Sequence, residues 1–110
     1  MKYKKAGKIL KLNDKEIEFP NEICKVLEFN GVYIVFIMDK NIFPIHNIIA
    51  VNADGSILWR IEDVIKLGSP DPYVDLYKEN DRHVWVRSAS GVETTFDVYT
   101  KEIIDQEVRR

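Results

Sequence analysis

Asn47-Ile48-Ile49-Ala50-Val51-Asn52-Ala53-Asp54-Gly55-Ser56-Ile57-Leu58-Trp59-Arg60-Ile61 is the stretch that decides the fold. Two apolar runs flank Asp54-Gly55, and an Asp-Gly pair in that setting is the strongest short-range hairpin signal a sequence carries. A type I′ turn on Asp54 and Gly55 pairs Ala53 with Ser56, Val51 with Leu58, Ala50 with Trp59 and Ile48 with Ile61. Side chains alternate across a strand, so Ile48, Ala50, Ile57, Trp59 and Ile61 share one face, and Ile49, Val51, Leu58 and Arg60 the other. Both faces are mostly apolar, which predicts a hairpin inside the sheet system rather than at an edge.

Hairpin signals recur outward from this stretch. Lys8 to Phe19 alternates, and a turn near Asp14-Lys15 sets Leu10 and Leu12 against Ile17 and Phe19, with Lys11 opposite Glu18. Pro20 cannot donate to a ladder and ends that pair or marks an edge. Asn30-Gly31 joins Ile23–Phe29, half polar with Lys25 and Glu28, to Val32–Met38, whose β-branched and aromatic run predicts a central strand. Glu62–Leu67 reads as one helical turn, closed by Gly68-Ser69-Pro70-Asp71-Pro72. Tyr73–Lys78, His83–Arg87, Val92–Val98 and Glu102–Val108 follow as strands, with Val74 and Leu76 expected in the core. The expected fold is all-β: an antiparallel hairpin meander of about nine to ten short strands, as a sandwich, open barrel or blade pair, with at most one short helical turn.

Composition bounds the rest. The 110 residues are expected to form a single all-β domain, 1–110, and 45% hydrophobic with 31% charged residues is globular material. The net charge of −2 gives no overall pull toward nucleic acid or membrane. No apolar run reaches the ~20 residues of a membrane span. The basic start at Met1-Lys2-Tyr3-Lys4-Lys5 is not followed by the apolar stretch of about 7–15 residues that a signal peptide needs. One cysteine, Cys24, fits a reducing compartment, and a cytoplasmic protein is expected.

Two segments are alike. Ile48–Trp59 and Val92–Ile104 each run strand, aspartate turn, strand. They resemble the outer hairpin of the quinoprotein-like (PQQ-type) β-propeller repeat, through Asn52, Asp54, Gly55, Leu58 and Trp59 in the first and Asp97, Thr100, Ile103 and Ile104 in the second. Lys101 stands where the repeat has glycine, and the second copy has no tryptophan. The resemblance covers less than half of the chain and implies antiparallel hairpins. It carries over no quinone site, because a ring needs about four or more blades of four strands.

Candidate chemistry is sparse. His46 and His83, the two histidines, have no partner at metal-ligand or triad spacing, and Cys24 reads as a buried, inert thiol. Asp71, Tyr73, Asp75, Tyr77 and Glu79 fall at spacing two, so a regular strand would line carboxylates and phenol rings along one face. Ile42, Phe43 and Ile45, beside Pro44, form an apolar loop suited to a contact patch. Lys2, Lys4, Lys5, Lys8, Lys11, Arg109 and Arg110 leave basic ends, but no ribonucleoprotein, zinc-knuckle or helix-turn-helix pattern accompanies them, and nucleic-acid binding is not expected. Neither a phosphate loop nor a nucleophile elbow occurs.

These readings point to a small non-catalytic protein-binding module with no cofactor and no metal, whose tentative surface is Ile42, Phe43, Ile45, Asp71, Tyr73, Asp75 and Tyr77. The alternative is a ligand-binding protein or enzyme using the Tyr73/Asp75/Tyr77 face, and the third reading is a nucleic-acid-binding β-barrel. Free sheet edges and strands apolar on both faces predict a homo-oligomer, most simply a twofold dimer.

Overall fold

The computed structural model describes residues 3–38, 47–66 and 71–108. In chain order the elements are β1 (Tyr3–Ala6), β2 (Ile9–Leu12), β3 (Lys15–Glu18), β4 (Ile23–Phe29), β5 (Val32–Ile37), β6 (Ile48–Asn52), β7 (Ile57–Arg60), α1 (Ile61–Val64), β8 (Tyr73–Lys78), β9 (His83–Ser88), β10 (Val92–Asp97) and β11 (Ile103–Val108). They form three antiparallel meanders, β1-β2-β3, β4-β5-β6-β7 and β11-β10-β9-β8. Among the described residues the fold is all-β apart from the single turn of α1.

The three sheets stack. Leu10 and Leu12 of the first sheet pack on Tyr33, Val35, Ile37, Ile49 and Val51 of the middle one. Ile34, Phe36, Ile48, Ala50 and Trp59 on the opposite face of the middle sheet pack on Leu76, Val84, Val86 and Phe96 of the third. The middle sheet is therefore buried on both faces, and all six residues of β5 are buried. Each such side chain contributes about 1.5–3 kcal/mol by leaving water. This is why a continuous apolar run sits at β5 and a clean alternation does not.

The organising hairpin forms with a changed register. Ala50 faces Trp59 as expected, but a bulge after Ala50 puts Val51 opposite Ile57. The turn is wider than a two-residue loop. Asn52 N–H donates to Ser56 O, and the Asn52 side-chain oxygen accepts from Asp54 and Ser56 N–H. Gly55 lies at φ +91°, a backbone region that side chains rarely adopt. Only half of the hairpin is interior: β6 lies between β5 and β7, whereas β7 is the edge strand and exposes Ile57 and Leu58.

Two further expectations shift. The turn between β2 and β3 is centred on Asn13-Asp14, with Asn13 at φ +54°, because asparagine tolerates that region. Leu12 then faces Lys15, Leu10 faces Ile17, and Lys11 lies opposite Glu16 rather than Glu18. At the N-terminus, Tyr3–Ala6 pairs with Ile9–Leu12 as a strand that the lysine-rich sequence does not announce. The two segments of similar sequence, Ile48–Trp59 and Val92–Ile104, occupy equivalent places, the third-to-fourth-strand hairpins of the two four-stranded sheets. Lys101, in the turn before β11, has φ +67°. The three sheets do not close a ring.

Candidate functional site

The run of acidic and aromatic residues enters β8, and a bulge between Tyr73 and Asp75 breaks its alternation. Tyr73 turns into the core at 3% exposure, and Val74, expected inside, is exposed. The five side chains therefore do not share a face. Burial, and then the charge of Asp71, push the Tyr73 phenol well above its ordinary range. Asp71 lies before the strand and accepts hydrogen bonds from Ser90 N–H and Ser90 Oγ, which tie it to the β9–β10 turn. Burial works to raise its carboxyl, but the Ser90 and Ser88 hydroxyls and the Ser90 N–H outweigh that and hold it below the usual range. Tyr73 is thus a core residue, and Asp71 ties the start of β8 to the β9–β10 turn. Ile42, Phe43, Ile45 and His46 lie outside the described residues.

Asp75 and Tyr77 do reach the outer face of the third sheet, and both are exposed among the described residues. Cross-strand register places Asp75 beside Arg87 and Tyr77 beside Trp85. The Tyr77 and Trp85 rings stack at 4.7 Å with planes 25° apart. Tyr77 is 44% exposed. Its hydroxyl donates to Glu79 at 3.1 Å, and Trp85 Nε1 donates to Glu93 at 3.3 Å. The Glu79 hydrogen bond is the largest influence raising the Tyr77 phenol. Glu93 and Glu107 face each other across β10 and β11, and Asp105 faces Thr95. The result is an aromatic platform of two rings stacked on each other, with its polar edges held by carboxylates. Such a surface attracts cations twice, through the ring faces and through the acids.

Sequence reasoning named Tyr77 but not Trp85 or Glu93. The difference is one residue of loop length: a two-residue turn at Asn80–Asp81 sets Tyr77 against Val84, whereas the three-residue loop 80–82, closed by Glu79 N–H donating to His83 O, brings Tyr77 opposite Trp85. Asn80 does hold that turn, its side-chain oxygen accepting from Arg82 and His83 N–H. His83 shares a hydrogen bond with Asn80 Nδ2 and is part of the turn rather than a separate centre. Cys24 is exposed at a bulge of edge strand β4, not buried. Among the described residues, no group of three or more His, Cys, Asp or Glu is placed to hold a metal ion.

A groove of about 770 Å³ opens where the β4–β5, β8–β9 and β10–β11 turns meet, lined by Glu28, Phe29, Asn30, Lys78, Arg82 and Tyr99 among others. Its cations are engaged. Lys78 Nζ donates to Glu28 O and lies 4.8 Å from the Phe29 ring centre. Arg82 Nε donates to Asp97 at 2.9 Å and its guanidinium covers the Tyr99 ring. Tyr99 in turn donates to Asn30 O. No local pattern in the sequence joins these residues, since they come from three distant turns.

Asp97 holds one side of the groove. Burial alone would raise its carboxyl, but Thr100 and Tyr99 N–H, with Arg82, outweigh burial and lower it. A carboxyl lowered in the folded state stabilises fully above its unfolded value near ~3.9, and loses that contribution as pH falls through the folded value. Asp97→Asn is therefore expected to cost about 1–2 kcal/mol at neutral pH and to flatten the acid limb of stability below about pH 4. Urea midpoints measured from pH 7 downward check this, and an unchanged acid limb would count against it.

A family model described as "Domain of unknown function (DUF7957)" matches residues 1–108. The chain belongs to the DUF7957 family. No curated protein and no solved structure matches it. The assignment of function in this DUF7957 chain therefore rests on the platform and the groove themselves. Among the described residues no helix is long and apolar enough to cross a membrane.

Proposed function

We propose that the chain is a non-catalytic interaction module whose docking surface is the outer face of the β8–β11 sheet, and that its partner there is a cationic protein surface. One observation carries this reading: the stacked Tyr77–Trp85 pair, ringed by carboxylates on the outer face of the third sheet, with Tyr77 exposed among the described residues. Aromatic residues are enriched at interfaces, and an arginine over such rings is worth about 0.5–2 kcal/mol. Self-association is part of the same reading, since β4, β7, β8 and β11 are sheet edges. The blade-like hairpins support it as well, because a blade buries its faces on neighbouring blades. An exposed free thiol at Cys24 supports a reducing compartment, and a cytoplasmic setting is part of this proposal.

The test is binding of a labelled arginine-rich peptide at low salt, read by anisotropy. Trp85→Ala and Tyr77→Ala keep the net charge, so they separate platform from field. Each is expected to weaken binding about five- to tenfold. Equal binding by both variants would show that only bulk charge is at work and would sink the proposal.

The groove favours a second reading, as a site for a small polar ligand. An anion that raises the melting temperature of the wild type, but not of Lys78→Ala, would move the assignment there.

A further inference from the structure

The two ends of the stack differ in charge. Residues 3–19, which contain the first sheet, carry five lysines and three acids. Residues 71–108, which contain the third, carry nine acids and four Lys or Arg. The outer faces repeat the contrast at the level of single rows. On the first sheet, Lys4, Lys11 and Glu16 stand side by side across β1, β2 and β3, all exposed. On the third, Glu107, Glu93 and Arg87 stand side by side across β11, β10 and β9. Read strand by strand, the signs are plus, plus, minus against minus, minus, plus.

Strands in both sheets lie about 4.8 Å apart, so the two rows have the same spacing. Stacking the outer face of one copy's first sheet on the outer face of another copy's third sheet sets each charge of these two rows against its opposite. Lys4 and Lys11, like charges directly across a ladder, are unfavourable neighbours until an acidic surface meets them. The exposed Ile9 of the same face supplies apolar area toward the side on which the Tyr77–Trp85 platform lies. We infer that the cationic surface which docks on the β8–β11 sheet is the β1–β3 sheet of a second copy of this chain.

This inference rests on the reading of that sheet as a docking surface. The contact is heterologous, head to tail, and so differs from a twofold dimer. Each added copy presents a new free end, which gives a ring if the rotation closes and a filament if it does not. The β1–β3 face is only about 14 by 13 Å from strand spacing and rise, so the contact belongs with weak, reversible interfaces. It is also screened by salt, because its charges lie at the surface.

Sedimentation of the full chain and a complementation mix test it. At low ionic strength the wild-type mass should rise with concentration above 12.9 kDa, and added salt should reverse the rise. Lys4→Glu with Lys11→Glu makes both ends acidic, and Asp105→Lys with Glu107→Lys brings lysines to the acidic end. Each double variant alone should stay monomeric. An equal mixture should associate, because each supplies the end that the other lost. The exposed β11 positions leave Glu93 in place under Trp85. Circular dichroism checks folding, and Lys4→Gln with Lys11→Gln replaces the reversal if it fails to fold. Monomeric wild type at low salt, or a mixture that stays monomeric, overturns the inference. So does a Lys4→Glu, Lys11→Glu variant that still self-associates, the signature of a twofold contact elsewhere. An oligonucleotide held by the wild type and released by that variant, with the protein monomeric throughout, would reassign the basic face to nucleic acid. Arginine-rich peptide binding to the platform survives each of these failures, so the docking face and its occupant are judged separately.

Discussion

Trp59→Ala is expected to lower the unfolding free energy by about 3–5 kcal/mol, as removal of a buried indole does when the site cannot collapse. Three facts make this site one that cannot. Of the four residues of β7, only Trp59 is buried, so the edge strand holds to the core through this one side chain. Its ring meets Phe96 of the third sheet edge to face, with centroids 5.3 Å apart. Its Nε1 donates to Val98 O at 3.0 Å, and the bond is buried. Truncation therefore leaves a cavity between the middle and third sheets and removes the donor of a buried carbonyl at once. Trp59→Phe keeps most of the ring contact and loses the donor, so it should cost about 1–3 kcal/mol. Urea denaturation followed by far-ultraviolet dichroism gives both values. A loss below about 1 kcal/mol for the alanine variant would mean that the two sheets are not joined here.

The pairing of Ala50 with Trp59 could be read from the sequence because it depends on local turn chemistry and on alternation. The central place of β5 was legible for the same kind of reason: six β-branched or aromatic residues in a row leave no polar face to show to water. The bulges were not legible. At Tyr73–Asp75 one extra residue swaps the roles of Tyr73 and Val74, and both arrangements satisfy the same alternating pattern. What selects the observed one is tertiary: Asn47, distant in sequence, holds the backbone of Tyr73. The Tyr77–Trp85 platform turns on one residue of loop length at 80–82, which the turn residues alone do not fix, whereas the groove needs three turns brought together by the stacking of sheets. Strand order within each meander follows from hairpin chemistry. The order of the sheets in the stack is decided by which faces are apolar, and two of the three sheets show one apolar face each.

Asn47 carries the second large effect. It is fully buried, and its side chain bonds both backbone groups of Tyr73: Nδ2 donates to Tyr73 O at 2.7 Å, and Oδ1 accepts from Tyr73 N–H at 3.0 Å. Its own carbonyl accepts from Ile37 N–H, so the residue also sits in register with β5. A primary amide is the one side-chain group that offers a donor and an acceptor with this spacing to a single peptide unit on each side. Asn47→Ala leaves a buried N–H and a buried C=O without partners, each costing about 1–3 kcal/mol, so the expected loss is about 2–5 kcal/mol. Asn47→Asp discriminates hydrogen bonding from packing because it has nearly the same shape. At neutral pH its carboxylate faces the Tyr73 carbonyl with no donor and carries a buried charge, so it should be at least as damaging as alanine. Burial and the facing carbonyl raise the introduced carboxyl above its unfolded value, and the sign of linkage then reverses. Stability is lost as pH rises through the raised value, and it returns on acidification, once a proton restores the donor. Urea midpoints for wild type and both variants at pH 7 and pH 5 decide the matter. Recovery of Asn47→Asp relative to wild type at the lower pH, with no recovery of Asn47→Ala, is the expected pattern. An alanine variant within about 0.5 kcal/mol of wild type would show that the middle and third sheets are held in register by something other than this amide.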